Sequence, residues 1–166
     1  MSNYDLWVES YQGEVLGEAL FGSLAEREAY PEHSHQLEVL TLLERATKEL
    51  AEPLFERRSL DHGDTAGTLE SAAELVGAMG GITWEAFLGS LVPVTEHFLA
   101  KYHEMVELAS DESERQIAEA YVAHEEALAA FARRALGQED GDPLALVLAL
   151  PHVAAEYSAR VAQSGR

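Results

Sequence analysis

The stretch SLDHGDTAGTLESAAELVGAMGGIT, residues 59–83, decides how the rest of the chain is arranged. It separates two long segments whose apolar residues recur every three or four positions, the period of a helix with one buried face. Asp61-His62-Gly63-Asp64 breaks that period, a shorter helix is expected from Ala66 to Met79, and Gly80-Gly81 closes it. About two dozen residues with a helix of their own can traverse the length of a bundle, whereas a hairpin connection needs only a few.

On the N-terminal side, a first helix is expected from about Tyr4 to Glu28, with Trp7, Tyr11, Glu14, Glu18, Phe21 and Ala25 facing inward. Tyr30-Pro31 ends it, because the residue before a proline is pushed out of the helical region. Ser34 reads as the N-cap of a second helix to about Arg58, which Pro53 should kink. Leu37, Leu40, Thr41, Glu44, Thr47, Ala51 and Leu54 form its inward stripe.

On the C-terminal side, Thr83 caps a third long helix to about Ala109, whose inward face reads Leu88, Val92, Thr95, Glu96, Leu99, Tyr102 and Val106. Pro93 interrupts it near Glu96. Asp111 and Glu114 make a capping box for a fourth helix that ends on Gly137. Ile117, Tyr121, His124, Leu128, Phe131 and Ala135 line its buried side. Asp142-Pro143 opens a fifth helix to about Ala162. The short connections make helices one and two, and three and four, antiparallel hairpins joined by one long crossover. The expected fold is all-α, a single domain over residues 1–166.

Composition narrows the function. Of 166 residues, 47% are apolar, enough for a substantial core. Thirty acidic residues against eleven basic give a net charge of −19, which works against nucleic acid and anionic membranes as partners. The absence of cysteine excludes disulfides, thiolate metal sites and cysteine nucleophiles. Met1-Ser2-Asn3-Tyr4-Asp5 has neither the basic start nor the apolar stretch of a signal peptide, and the expected location is cytoplasmic. No glycine-rich phosphate loop or nucleophile elbow is present.

The polar residues on the inward faces are the informative ones. Glu18, Glu44, Glu96 and His124 each lie about thirteen or fourteen residues from a turn, which puts all four roughly 20 Å along their helices and near mid-height. Three carboxylates and an imidazole meeting in a core call for a cation or shared protons. Glu14 lies one turn from Glu18 on the same face, and both Glu14 and Glu125 are substitute ligands.

The stretches Gln12-Gly13-Glu14-Val15-Leu16-Gly17-Glu18, Leu43-Glu44-Arg45-Ala46-Thr47 and His124-Glu125-Glu126-Ala127-Leu128 with Phe131 resemble the helices of ferritin-like di-iron carboxylate proteins, the rubrerythrin-related members above all. The resemblance implies a ferritin-like four-helix bundle, with single glutamates from helices one and three and a Glu-x-x-His pair from helices two and four. Glu18 and Glu96 match the single glutamates. Thr47 stands where the first histidine is expected, and Tyr121 where the second pair's glutamate is expected.

On that resemblance Glu18, Glu44, Glu96 and His124 are metal ligands, Glu44 bridging, and the metal is iron, with manganese or zinc as alternatives. Tyr121 is the catalytic candidate, a redox or hydrogen-bonding neighbour in an oxidoreductase acting with oxygen or peroxide. A homodimer with an unidentified small-molecule substrate is the expected assembly. The alternative is a metal-free bundle serving as a binding or dimerisation module; an iron-storage shell and a heme-oxygenase-like bundle rank below it. Asp61 to Asp64, His33 and His35 read as surface, and His97 and His103 as solvated flanks of the third helix.

Overall fold

The structure, a computed structural model of the chain, describes residues 3–165. Among the described residues there are seven α-helices and no strand: α1 Asn3–Glu26, α2 Ser34–Arg58, α3 Thr65–Ala78, α4 Trp84–Leu108, α5 Glu112–Ala135, α6 Ala145–Ala149 and α7 Pro151–Ser164. A 3₁₀ turn, Pro31–His33, joins α1 to α2. Among the described residues no helix is long and apolar enough to cross a membrane.

Local chemistry explains most of the boundaries. Asp64 opens α3 by accepting from the Gly67 amide, and Thr83 opens α4 by accepting from the Ala86 amide. Asp111 accepts from the Glu114 amide at 2.9 Å, while the Glu114 carboxylate accepts from the amide and hydroxyl of Ser110, one residue outside the expected box. Gly137 follows α5 at φ +71°, the left-handed position that glycine adopts without a Cβ penalty.

Two expected boundaries are corrected. Ser34 is the first residue of α2 rather than its cap, and its hydroxyl donates to the Pro31 carbonyl. The fifth helix is two helices, because Leu150 adopts an extended conformation (φ −64°, ψ 127°) before Pro151. A residue before proline avoids the helical region, so α6 stops and α7 starts with its proline in the first turn. Pro53 and Pro93 both lie inside continuous helices.

The four long helices pack α1 on α2, α4 on α5, α1 on α4 and α2 on α5, and α3 lies along α1. At one end the Asn3 side chain donates to the Leu108 carbonyl, and Arg58 reaches Ser110, Asp111 and Glu114. At the other, the Tyr30 hydroxyl donates to the Ile82 carbonyl, and His33 stacks on Trp84 at 4.3 Å. The α2 helix therefore finishes at one end of the molecule and α4 begins at the opposite one, with α3 and the residues flanking it covering the distance. The helices α6 and α7 pack together and against α2.

The apolar core is split. One cluster gathers Phe21, Leu24, Leu37, Leu40, Leu43, Phe87, Leu88, Leu128 and Phe131 toward the α4 N-terminal end. The other gathers Leu6, Trp7, Tyr11, Val15, Leu54, Phe55, Tyr102, Met105, Ala118 and Tyr121 toward the α1 N-terminal end. On each of α2, α4 and α5 the residues between the two clusters are buried polar ones: Glu44 and Thr47, Thr95, and His124 and Glu125. Glu14 joins them from α1. Folding thus places a polar belt across the middle of the bundle.

Candidate metal centre

Burial of Glu14, Glu44 and Glu125 follows from the positions on either side of them. Trp7, Tyr11 and Val15 commit one face of α1 to the core, Leu40, Leu43 and Ala51 do so on α2, and Tyr121, Leu128 and Phe131 on α5. The amphipathic stripe carries the glutamates inward with it. Glu14 is 1% exposed and His124 fully buried.

His124 is the centre of the belt. Its Nδ1 lies 3.0 Å from the Thr47 hydroxyl and 3.3 Å from Glu14 Oε2. Its Nε2 faces Glu44 Oε1 at 3.4 Å and Glu125 Oε1 at 4.0 Å without an aligned hydrogen bond to either. Oxygens of Glu14 and Glu125 and a ring nitrogen of His124 all lie within 4.8 Å of one another. The Tyr102 hydroxyl donates to Glu14 Oε1 at 3.3 Å. Glu14 Oε2 and His124 Nε2 are buried polar atoms with no hydrogen-bond partner.

In this dry pocket Glu14 and Glu125 hold protons tightly. Burial, then the neighbouring Glu44 and Glu125, push the Glu14 carboxyl well above its ordinary range, with the Tyr102 hydroxyl opposing. Burial pushes Glu125 up to about 8, with His124 opposing and Glu44 adding to the rise. Burial works against the charged form of His124, but Glu44 and Glu125 outweigh it and hold the imidazole above its ordinary value.

Close backbone approach makes room for the cluster. A Cβ on Gly17 would sit 2.5 Å from the Glu44 carboxyl carbon, so only glycine at that position lets Glu44 lie against α1. Between α1 and α4 a cavity of about 70 Å³ is lined by Gly13, Gly17, Thr95 and Phe98 and by the carboxylates of Glu14, Glu44 and Glu125.

The expected ligand set is partly rearranged. Glu44 and His124 lie in the belt as expected, and the two substitutes, Glu14 and Glu125, join them. Glu18 does not: it accepts from Arg45 at 2.7 Å and Lys48 at 2.5 Å on the α1–α2 surface, and those cations outweigh partial burial and lower its pKa. Position 18 is four residues from position 14, or about 40° further round the helix, enough to turn it out of the core. Glu96 is exposed on α4. The buried stripe there runs Leu88, Leu91, Thr95, Tyr102, Met105, and the step from Thr95 to Glu96 is about 100° of rotation.

Thr47 is buried and bonded to His124. The Tyr121 hydroxyl is buried without a partner, and its ring meets Tyr102 edge-on at 5.0 Å. Tyr102, in the inward stripe but not singled out from sequence, is the phenol that touches the cluster.

His152 on α7 is the residue sequence reasoning missed. Its Nε2 lies 2.9 Å from the Thr47 hydroxyl, and burial together with the nearby His124 holds its pKa down to about 4, against the opposing effect of Glu156. Its one signal was a histidine just after a proline that starts a helix. Of the other histidines, His35, His97 and His103 are exposed, and His62 pairs with Glu52 at 2.9 Å and stacks on Phe55. Comparisons of the chain with protein-family models, with curated proteins and with solved structures give no match.

Proposed function

We propose that the belt is a metal-binding site and that the chain is a ferritin-like carboxylate bundle. Glu14, Glu44, Glu125 and His124 are the ligands, and the metal is iron or manganese. The observation that carries this reading is the pair of orphaned atoms, Glu14 Oε2 and His124 Nε2, buried among three carboxylates. A buried polar atom left without a partner costs about 1–3 kcal/mol, and a cation would satisfy both at once. Three oxygen ligands and one imidazole form a hard donor set that suits ferrous or manganous ion.

The fold supports the same reading. Two pairs of long helices joined by a long connection that contains a shorter helix, with ligands projecting inward at mid-height, is how ferritin-like bundles build their centres. Bound iron would supply oxygen or peroxide chemistry. Around it, Tyr102 would hold Glu14 in place, Gly17 would let Glu44 approach, and the two apolar clusters would exclude water.

Manganous ion titrated into metal-free protein and followed by electron paramagnetic resonance tests this. Saturable binding is expected, weakened at least 10-fold by Glu14→Gln with Glu44→Gln, alongside iron or manganese in protein purified without chelator. No saturable binding and no co-purified metal would sink it. The second reading, a metal-free binding module, is favoured by the elevated pKa values of Glu14 and Glu125, which let protons take the place of a cation. On that reading the same double variant is more stable and metal leaves the melting temperature unchanged.

A further inference from the structure

We propose that Thr47 and His152 form a proton path linking the buried belt to a cleft between α2, α5 and α7. Three groups on three helices make an unbroken chain. His124 Nδ1 on α5 is 3.0 Å from Thr47 Oγ1 on α2, and that hydroxyl is 2.9 Å from His152 Nε2 on α7. His152 is half-buried and lines a cleft of about 610 Å³ with Leu50, Ile117, Ala120, Leu150 and Pro151. His152 thus touches Thr47 on the belt side and lines the open cleft on the other.

The polarity of the chain is chemically consistent. A hydroxyl can accept one hydrogen bond while donating another, so His124 Nδ1–H donates to Thr47 and Thr47 O–H donates to Nε2 of a neutral His152. In one transfer, His124 gives its Nδ1 proton to Thr47, Thr47 gives its own to His152 Nε2, and His152 releases its Nδ1 proton to water. His124 keeps its Nε2 proton and ends neutral. Glu14, whose Oε2 is 3.3 Å from Nδ1, then gives its proton to Nδ1. Rotation of the hydroxyl and a change of the His152 tautomer reset the path with one carboxyl proton delivered to water.

The path opens on the wide cleft beside α7, whereas the carboxylates line the much smaller cavity between α1 and α4. Around His124 stand Glu14, Glu44 and Glu125, all buried, and the charged groups acting on His152 are His124 and then Glu156, one turn along α7. The purpose rests on the metal reading: a cation that binds protonated carboxylates must expel their protons, and the site is walled by apolar clusters above and below. The path itself does not require metal.

The test separates conduction from simple docking of α7. His152→Gln keeps a hydrogen-bonding group on Thr47 but cannot relay a proton, Thr47→Val breaks the chain, and Thr47→Ser preserves it. In metal-free protein labelled with ¹⁵N-histidine, solvent exchange of the His124 ring N–H is expected to slow at least 10-fold in His152→Gln and Thr47→Val and to stay near wild type in Thr47→Ser. Wild-type exchange rates in both blocking variants would overturn the path. When Mn²⁺ is mixed with the protein, indicator-detected proton release should slow in the same two variants while equilibrium affinity changes less than about threefold. Failure of the wild type to bind Mn²⁺ would count against the metal site alone, and the exchange rates would still decide the path.

Discussion

Glu114 and Glu14 are both fully buried carboxylates, yet the protein treats them oppositely. Glu114, at the start of α5, accepts from the Ser110 amide at 2.8 Å and its hydroxyl at 2.6 Å and pairs with Arg58 at 2.8 Å. Those donors outweigh burial and lower its pKa. Glu14 has one hydroxyl donor, two carboxylate neighbours and an unpartnered oxygen, and its pKa is raised. Glu114 is a clasp that closes one end of the bundle. Glu14 is a carboxyl that holds its proton, with His124 Nδ1 at 3.3 Å from Oε2 but no aligned donor there, an arrangement that a structural role alone does not require.

The largest expected effect concerns the belt as a whole. Glu125 binds its proton more tightly folded than unfolded, so the stability it confers is full below about pH 4.5 and is lost as pH rises through about 8. His124, also raised, changes stability in the same direction above its ordinary value of 6.5. Metal-free protein should lose about 3 kcal/mol between pH 5 and pH 8.5, measured by urea unfolding. A flat profile would mean that the belt is not dry.

Next comes the clasp. Glu114→Ala should cost about 2 kcal/mol at pH 7, read as a lower urea midpoint, because Ser110 and Arg58 lose their shared acceptor. If Glu114→Ala and Glu14→Ala cost the same, the two sites are not different in kind. Glu14→Gln should instead stabilise metal-free protein by about 1 kcal/mol at pH 8, since an amide keeps the Tyr102 hydrogen bond and can donate to Glu44. The smallest effect is expected at Glu18, whose pairs with Arg45 and Lys48 are at the surface. Glu18→Ala should cost under about 1 kcal/mol, diminish further in high salt, and leave metal affinity unchanged.

The helices were legible because their boundaries are local events. Proline at 31, the caps at Thr83 and Asp111 and the glycine at 137 act within one turn of chain. Mid-height placement was legible too, since rise per residue is constant. The rotational position of each side chain was less so. At Glu96 the expected inward stripe of α4 is one residue out of phase, and Glu18 is the expected ligand with Glu14 only its substitute, the reverse of where the two lie. A helix advances about 100° per residue, so an error of one position moves a carboxylate from core to solvent.

By itself, the sequence determined an all-helical chain, the order of its helices and the approximate extent of all but the last, which Pro151 divides, and a level at which buried polar groups would gather. Periodicity and caps are properties of neighbours along the chain, and they survive without knowledge of the fold. Only the tertiary structure decided which acids fill the belt, that Arg45 and Lys48 neutralise Glu18 outside it, and that His152 reaches Thr47 from a helix 105 positions away. Those outcomes depend on which helix faces which and on how far each is turned about its axis, and packing sets both.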